Sequence, residues 1–353
     1  MNPALSVLEA LGGKVDELLW VGSEGGMEKE LVIRHQIPYQ AIPAAGLHGV
    51  GIKQLPGNLS RMAKGIFASR RILKEFKPDA LFFTGGFVAA PMAIAGVPLP
   101  SLLFVPDIEP GLALKFISRF ADRIALTAEE SKRYFGNKSK LVVTGYPTRV
   151  DLMKSNKKTA REHFGIHGAK PVLLVFGGSK GARTLNQAVT KNIVELLDAL
   201  QVIHITGHLD WKAVSEVHQS LSAKQRGDYH IFPYLHEDMG KALAAADLVL
   251  SRAGASTLGE FPLFSLPAIL VPYPHAWRYQ KVNADFLVSR GAAIMLENAA
   301  LSRNIVSTIH NLLEDPSTLE KMSKAMHSLA TPDAAKKIAN AIIDLVAEQR
   351  GSA

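Results

Sequence analysis

Three loops in the second half of the sequence carry residue types that bind phosphates and sugars. The first is Gly177-Gly178-Ser179-Lys180-Gly181-Ala182-Arg183, which follows a short apolar run and precedes a segment with helical spacing. Glycines let the backbone approach a ligand closely, and amides at a helix start bind anions, with Ser179 as a further donor. The spacing fits neither the Walker pattern nor a dinucleotide fingerprint. It predicts a phosphate-binding turn; the alternative is a glycine turn required only by tight packing.

The second loop also lies where an apolar run gives way to helical spacing. It reads Ser251-Arg252-Ala253-Gly254-Ala255-Ser256-Thr257-Leu258-Gly259-Glu260. Its small residues leave room for a ligand, and the hydroxyls of Ser256 and Thr257 can donate to phosphate. Glu260 lies one turn into the helix, where a carboxylate can accept both hydroxyls of a ribose. The alternative is that Glu260 only complements the helix dipole.

The third loop combines aromatic, imidazole and amide groups that suit a sugar or a base. It runs through Pro272-Tyr273-Pro274-His275-Ala276-Trp277-Arg278-Tyr279-Gln280, with Asn283 and Ala284 following. A loop at the carboxyl edge of a strand is where open α/β sheets bind ligands. Taken singly, His275 and Trp277 also fit the description of packed loop residues.

Two further candidates lie in the first half of the sequence. Thr84-Gly85-Gly86-Phe87-Val88 follows an apolar run and predicts another glycine turn. Arg149, in Tyr146-Pro147-Thr148-Arg149, is placed to reach a diphosphate. The alternative for Arg149 is a solvated surface charge.

The elements that must position these loops alternate between short β-branched runs and helical segments. This alternation predicts parallel sheets with helices on both faces, a doubly wound α/β pattern that occurs twice. We predict strands at residues 18–22, 80–84, 101–105, 123–128, 140–144, 171–176, 202–206, 230–235, 248–251, 268–272 and 292–296.

The length of 353 residues favours two domains. We predict a first domain at 1–145, a linker at 146–170 and a second domain at 171–330. A final helix within 331–353 is expected to pack back toward the first domain.

Composition excludes several classes of protein and site. The sequence has no cysteine, so disulfide scaffolds, thiolate zinc sites and cysteine nucleophiles are excluded. Prolines and glycines interrupt the apolar stretches, and no uninterrupted membrane span can be drawn. The first residues show no basic, apolar secretory signal, which favours a cytoplasmic location.

The net charge of +8 is concentrated in one region. Residues 46–77 contain seven basic side chains against the single acidic Glu75. The spacing predicts a helix with a buried stripe of Leu59, Met62, Ile66 and Leu73, and with Ile52, Leu55 and Phe67 near the cations. This face suits an anionic membrane surface; the alternative is a solvated helix side.

Taken together, these motifs resemble the MurG family of GT-B glycosyltransferases. The resemblance runs from residue 1 to about residue 345 and is most specific in 177–187, 251–260 and 271–283. It implies two doubly wound Rossmann-like domains facing a cleft, with 1–145 as the acceptor- and membrane-side domain and 171–330 as the UDP-sugar-binding domain. It also implies transfer of N-acetylglucosamine from UDP to a lipid-linked muramoyl-pentapeptide in peptidoglycan synthesis, and hence roles in cell wall biogenesis, cell shape and division.

The resemblance also implies roles for individual residues. Arg149 and Ser179 would hold the diphosphate, Leu235 would face the uracil, and Gln280 would touch the sugar. Phosphate and ribose would be held by Ala255, Ser256, Thr257, Leu258, Gly259 and Glu260. On the acceptor side the corresponding loop is Thr84, Gly85 and Gly86.

The sequence departs from the family pattern in three places. The family's first glycine-rich loop ends in a histidine that would fall immediately before Met1. We therefore expect the first strand of the N-terminal domain to be missing, the activity of the chain as written to be impaired, and its catalytic residue to be unknown. Asp107 replaces a sugar-contacting Asn, and Lys180 stands where Gln is usual.

The expected enzyme is an inverting hexosyltransferase that needs neither metal nor cofactor, since no Asp-x-Asp occurs in the sequence. Its expected partners are UDP-N-acetylglucosamine, an undecaprenyl-linked acceptor and the anionic surface of the cell inner membrane. It would attach peripherally to the cytoplasmic face of that membrane. Nucleic acid is not an expected partner. Two alternatives stay open: another GT-B glycolipid glycosyltransferase, and a catalytically impaired UDP-sugar-binding protein. A nicotinamide dehydrogenase is disfavoured because no dinucleotide fingerprint follows a strand.

Overall fold

The chain divides into two compact units. The structure is a computed structural model and describes residues 2–26, 28–46, 51, 54–178, 181–274 and 277–351. Unit 1 comprises Met1–Pro147 and Asp333–Ala353, and unit 2 comprises Thr148–Pro332. The segment 146–170, expected as a linker, therefore belongs to unit 2 from Thr148 onward.

Unit 1 contains two parallel sheets within the described residues. One pairs β1 with β2, and the other has the order β3-β4-β5-β6. The strands are β1 (Trp20–Ser23), β2 (Tyr39–Ile42), β3 (Leu81–Phe83), β4 (Ser101–Val105), β5 (Arg123–Leu126) and β6 (Leu141–Val143). The helices, numbered in chain order through both units, are α1 (Asn2–Leu11), α2 (Glu28–Arg34), α3 (Leu55–Phe76), α4 (Ala89–Ala95), α5 (Leu112–Ile117) and α16 (Ala334–Gly351).

The core of unit 1 forms around β4. All five residues of this strand are buried, as expected for a parallel strand covered on both faces. One apolar cluster joins residues from both sheets, including Ile42 of β2, Phe83 of β3 and Leu103 of β4. The two sheets thus share one core.

Unit 2 contains one parallel sheet of the order β12-β11-β10-β7-β8-β9. Its strands are β7 (Val172–Phe176), β8 (Gln201–Ile205), β9 (Tyr229–Phe232), β10 (Leu248–Ser251), β11 (Ala268–Leu270) and β12 (Ala293–Met295). Its helices are α6 (Lys157–His163), α7 (Arg183–Lys191), α8 (Ile193–Ala199), α9 (Trp211–Ser220), α10 (Ala223–Asp228), α11 (Met239–Ala245), α12 (Thr257–Leu263), α13 (Trp277–Val288), α14 (Leu301–Glu314) and α15 (Pro316–His327).

The strand order of unit 2 reverses direction once. The chain proceeds from β7 to β8 and β9 on one side, then returns to place β10 on the other side of β7. Apolar residues of β7, β8 and β10 pack with helices α7, α8 and α14 in a single core cluster. The helices cover the sheet and leave the loops at its carboxyl edge to carry function.

No helix in the described part of the chain is both long and apolar enough to cross a membrane.

Candidate functional site

The two strongest motifs lie side by side at the strand-order reversal of unit 2. Phe176, the last residue of β7, is in register with Ser251, the last residue of β10. The loops that follow these strands therefore leave the same edge of the sheet as neighbours. Ligands of doubly wound sheets bind at this switch point, because the two loops diverge there and open a crevice.

The loop after β7 is a tight glycine turn. The Gly181 amide donates to the Gly178 carbonyl at 2.9 Å, and both glycines have positive φ, +77° and +91°. A Cβ on Gly177 would lie 2.2 Å from the Ala182 Cβ, so glycine is required here by packing as well. Ser179 and Lys180, at the tip, lie outside the described residues.

The loop after β10 is anchored by Arg252, a contribution that the sequence analysis did not identify. The guanidinium is buried and donates to the Val271 carbonyl at 3.0 Å and to Asn298 Oδ1 at 2.8 Å. It also lies 5.4 Å from the centre of the Tyr273 ring. Burial lowers its pKa from the usual value. Arg252 therefore holds the loops after β10, β11 and β12 together. In the sequence, the feature that could have indicated this role is a lone arginine among small residues at the end of a strand.

The residues that follow Arg252 divide between the surface and the interior. Ala255 and Ser256 are half-buried, while Thr257, Leu258 and Gly259 are buried. The Thr257 hydroxyl donates to the Gly254 carbonyl at 2.7 Å, closing the turn into α12. Ser256 is thus the accessible hydroxyl of this segment.

Glu260 sits in an unusual electrostatic environment. Desolvation is the largest effect, and it raises the pKa of the carboxyl from 4.5 to about 7. A hydrogen bond with Ser256 and the charge of Arg149 act in the opposite direction. A carboxyl that titrates near neutrality inside a loop crevice is typical of a functional site.

Arg149 reaches this neighbourhood from the start of unit 2. It precedes the 3-10 helix Val150–Lys154 with an extended backbone, and its Nε lies 3.5 Å from Asp151 Oδ1. Its side chain is 29% exposed, which leaves it open to a ligand. The structure thus brings Arg149 and Glu260 within electrostatic range of each other.

Leu235 lies on the loop after β9, and Gln280 lies in the first turn of α13. Leu235 follows β9 and is half-buried. The Gln280 side-chain oxygen accepts from the Tyr273 amide at 2.8 Å, so this side chain also shapes the loop after β11. His275 and Ala276 lie outside the described residues.

In unit 1, the acceptor-side candidates follow neighbouring strands β3 and β4, which pair in parallel. Gly85 and Gly86 both have positive φ, +110° and +84°, and Thr84 is half-buried. Asp107 is half-buried two residues after β4. Nearby, the buried Glu109 pairs with Lys115 at 3.6 Å, a contact that the sequence analysis did not identify.

Comparison with known proteins places both units in one family. The glycosyltransferase family 28 N-terminal domain matches residues 1–126, and its C-terminal domain matches residues 172–338. A protein of Roseiflexus sp. strain RS-1 is 36% identical over 93% of this chain and 83% of its own length. It is named UDP-N-acetylglucosamine–N-acetylmuramyl-(pentapeptide) pyrophosphoryl-undecaprenol N-acetylglucosamine transferase. The chain belongs to the MurG family.

Two further comparisons agree with the MurG assignment. A relative of the same name from Desulforamulus reducens is 34% identical over 99% of this chain and 96% of its own length. The crystal structure of Acinetobacter baumannii MurG matches with a TM-score of 0.75 and 25% identity, covering 97% of this chain and 95% of that one. The UDP-GlcNAc 2-epimerase of Neisseria meningitidis, at 14% identity and a TM-score of 0.67, shares the fold. The predicted fold class, two Rossmann-like domains of GT-B type, is confirmed.

Proposed function

We propose that this chain transfers N-acetylglucosamine from UDP-N-acetylglucosamine to the lipid-linked muramoyl-pentapeptide precursor of peptidoglycan, with inversion at the anomeric carbon. The observation that carries the proposal is similarity over nearly the whole chain to transferases named for this reaction. The geometry of the site in unit 2 supports the proposal as well. Two of its loops leave neighbouring strands at the switch point, and the Arg149 cation lies within electrostatic range of the Glu260 carboxyl.

In the proposed donor site, each group contacts a different part of the nucleotide sugar. The glycine turn with Ser179, together with Arg149, holds the diphosphate, while Ala255, Ser256 and the start of α12 hold phosphate and ribose. Glu260 accepts the ribose hydroxyls, Leu235 contacts the uracil, and Gln280 contacts the sugar. Thr257, Leu258 and Gly259, being buried, act through backbone shape.

The reaction breaks one bond and forms another. An acceptor hydroxyl oxygen attacks the anomeric carbon, the bond from that carbon to the β-phosphate oxygen breaks, and UDP departs with the electron pair. The hydroxyl proton passes to a base. Negative charge grows on the leaving diphosphate, and Arg149 stabilises that charge.

For the acceptor we propose the loop Thr84–Gly86 of unit 1, and for a contact with the sugar we propose Asp107. They follow the carboxyl ends of the paired parallel strands β3 and β4, where backbone amides and a carboxylate can reach a ligand. Asp107 can accept a hydrogen bond from a sugar hydroxyl.

A second part of the proposal concerns the membrane. On α3, Phe67 is 69% exposed and Leu59 is 51% exposed. Phe67 lies between Lys64 and Arg70, three residues away on either side, and these are neighbours on a helix surface. An exposed aromatic ring flanked by cations suits peripheral attachment to an anionic leaflet.

The function is tested by a transfer assay with labelled UDP-N-acetylglucosamine and lipid-linked muramoyl-pentapeptide, alongside other polyprenyl-linked sugars. We expect label to enter only the muramoyl-pentapeptide. Arg149→Ala should lower kcat more than it raises the Kd for the intact donor UDP-N-acetylglucosamine, because charge grows on the diphosphate as the bond breaks. Transfer to a different glycolipid alone would overturn the acceptor, and UDP binding without transfer to any acceptor would reduce the chain to a UDP-sugar-binding protein.

A further inference from the structure

A buried amide lies directly behind the glycine turn of unit 2. Asn186, on α7, is 2% exposed. Its Nδ2 lies 2.7 Å from the Thr206 carbonyl and 2.9 Å from Asp210 Oδ2. Both partners only accept hydrogen bonds, so Nδ2 donates to both. The Asn186 Oδ1 therefore faces Nε2 of His204, at 2.9 Å.

This orientation fixes the tautomer of His204. Because Asn186 Oδ1 can only accept, Nε2 of His204 carries the proton and Nδ1 accepts from the Tyr229 hydroxyl at 2.8 Å. His204 is fully buried, and burial lowers its pKa to about 3, so the ring is neutral. The hydrogen bonds run in one direction, from Tyr229 through His204 and Asn186 to Asp210.

The same chain of hydrogen bonds touches the glycine turn at two points. A Cβ on Gly181 would lie 2.3 Å from the Thr206 carbonyl oxygen, the atom that Asn186 also holds. Asp210 accepts from Nε of Arg183, the first residue of α7, at 3.1 Å. The turn therefore packs against Thr206, which is one partner of Asn186. Helix α7, which follows the turn, is held by the hydrogen bond to Asp210, which is another partner.

We propose that Asn186 is a positioning residue for diphosphate binding, which sets the glycine turn against the carboxyl end of β8 through Thr206 and Asp210. The inference rests on the proposed function, because it assumes that this turn holds the diphosphate. A turn whose amides must point at phosphate oxygens is sensitive to small displacements, and a buried, fully paired amide resists them.

The chain offers a closely matched control at the opposite edge of the same sheet. The Gln201 Nε2, at the start of β8, donates to the His167 carbonyl at 2.7 Å and to Asp228 Oδ1 at 2.9 Å. Gln201 is also buried. Asn186→Asp and Gln201→Glu are therefore equivalent isosteric changes. Each replaces a donating amide nitrogen with an accepting carboxylate oxygen, which then faces a backbone carbonyl and a second carboxylate.

The test compares the affinity of the full chain for UDP and for uridine by calorimetry, with thermal melting measured in parallel. We expect both variants to lower the melting temperature, since each buries unpaired acceptors. Asn186→Asp should weaken UDP binding about 10- to 100-fold while changing uridine affinity less than about threefold. Gln201→Glu should leave both affinities within about threefold of wild type.

Two further variants extend the test, and the first keeps the inference falsifiable if Asn186→Asp does not fold. Asp210→Asn, at a side chain 15% exposed, leaves a single oxygen where two accept from Arg183 and Asn186, so one of these contacts is lost and UDP binding should weaken by about threefold or more. Adding Asp210→Asn to Asn186→Asp should recover part of the lost UDP affinity, because the new amide can donate to the new carboxylate.

The outcomes distinguish a failure of the positioning role of Asn186 from a failure of the proposed function. Equal UDP affinity in wild type, Asn186→Asp and Asp210→Asn would overturn the positioning role alone, as would an equal loss of UDP and uridine affinity. A wild-type chain that binds neither ligand would overturn the proposed function, and the inference with it.

Discussion

At the scale of single residues, Glu260 carries the strongest chemical signal in unit 2. It lies one turn inside α12, where a carboxylate would ordinarily ionise readily, yet desolvation raises its pKa to about 7. The opposing effects of Ser256 and Arg149 do not restore the ordinary value. Near neutral pH the carboxyl is therefore divided between its protonated and ionised forms.

A pH titration of nucleotide-sugar binding tests this assignment. If the ionised Glu260 carboxylate accepts the ribose hydroxyls as proposed, affinity should rise with pH through about 7, by up to about tenfold per pH unit below that value. UDP-N-acetylglucosamine is the suitable ligand, because its diphosphate is a diester with no ionisation near neutrality. Glu260→Gln should bind about tenfold more weakly than wild type at high pH, with no dependence on pH in this range. A wild-type profile parallel to that of Glu260→Gln would remove Glu260 from the ribose site.

The stability of the ligand-free chain should depend on pH in the opposite direction to nucleotide-sugar affinity, falling as pH rises. The folded chain binds this proton more tightly than the unfolded chain, whose carboxyl keeps a pKa near 4.5. The stabilising contribution is therefore fully present below about pH 4.5 and is lost as pH rises through about 7.

Residue types and local spacing were enough to place two of the motif loops at strand ends, but not to identify the groups that hold them. Ser251–Glu260 and the glycine turn lie at one sheet edge, as parallel strands require. The sequence assigns no role to Asn186, which lies within the motif 177–187, or to His204, which lies between Ile203 and Ile205. Their hydrogen bond joins residues 18 positions apart and is visible only in the fold. The roles of Arg149, Ser179, Leu235, Gln280 and Asp107 remain predictions.

At the scale of elements, the buried strands were the most predictable part of the fold. The predicted bounds of β4 and β10 coincide with the observed ones, since both are continuous apolar runs that are buried throughout. Strand β2 was missed: it is four residues long, lies between Pro38 and Pro43, and buries only Ile42. A strand with so little apolar pattern is defined by its pairing with β1.

Helix α3 departs from its predicted burial pattern. Leu59 was expected on the buried stripe, but it is exposed. The buried positions are instead Gly65, Ser69 and Ile72, because a Cβ at Gly65 would lie 2.2 Å from the Pro43 carbonyl and the helix approaches closely there. Leu59 therefore adds to the exposed apolar surface of this helix. Ile52 lies outside the described residues.

Binding to anionic vesicles tests the exposed face of α3. Replacing Arg61, Lys64, Arg70 and Arg71 with Gln should release the chain from vesicles containing phosphatidylglycerol, at about 1 kcal/mol per cation near the surface. The matched control makes the same change to Gln at four exposed lysines of unit 2 and should leave co-sedimentation with the vesicles unchanged. These lysines are Lys191, Lys212, Lys224 and Lys321. Equal release by both sets would mean that only net charge matters, and no release by either would favour a solvated helix face.

At the scale of the whole molecule, each unit has its own apolar core. The core of unit 2 joins β7, β8 and β10 with the helices around them, and that of unit 1 gathers around β4. The division at Pro147 and Asp333 places the last helix, α16, in unit 1, where Arg123 pairs with Glu348 at 2.7 Å. Sequence spacing predicts such a helix, but the long-range ion pair that helps to place it is visible only in the structure.

Because the donor loops all belong to unit 2, UDP should protect that unit selectively. A ligand that binds only the native form at about 100 times its Kd stabilises the unit it contacts by about 2.7 kcal/mol. Hydrogen exchange of the full chain with and without UDP should therefore slow in the loops after β7, β10 and β11 and in α12. Amides of β4 and β5 in unit 1 serve as the internal reference and should exchange at the same rate in both samples. Protection centred on the loops after β3 and β4 instead would place the nucleotide in unit 1 and reverse the assignment of donor and acceptor sites.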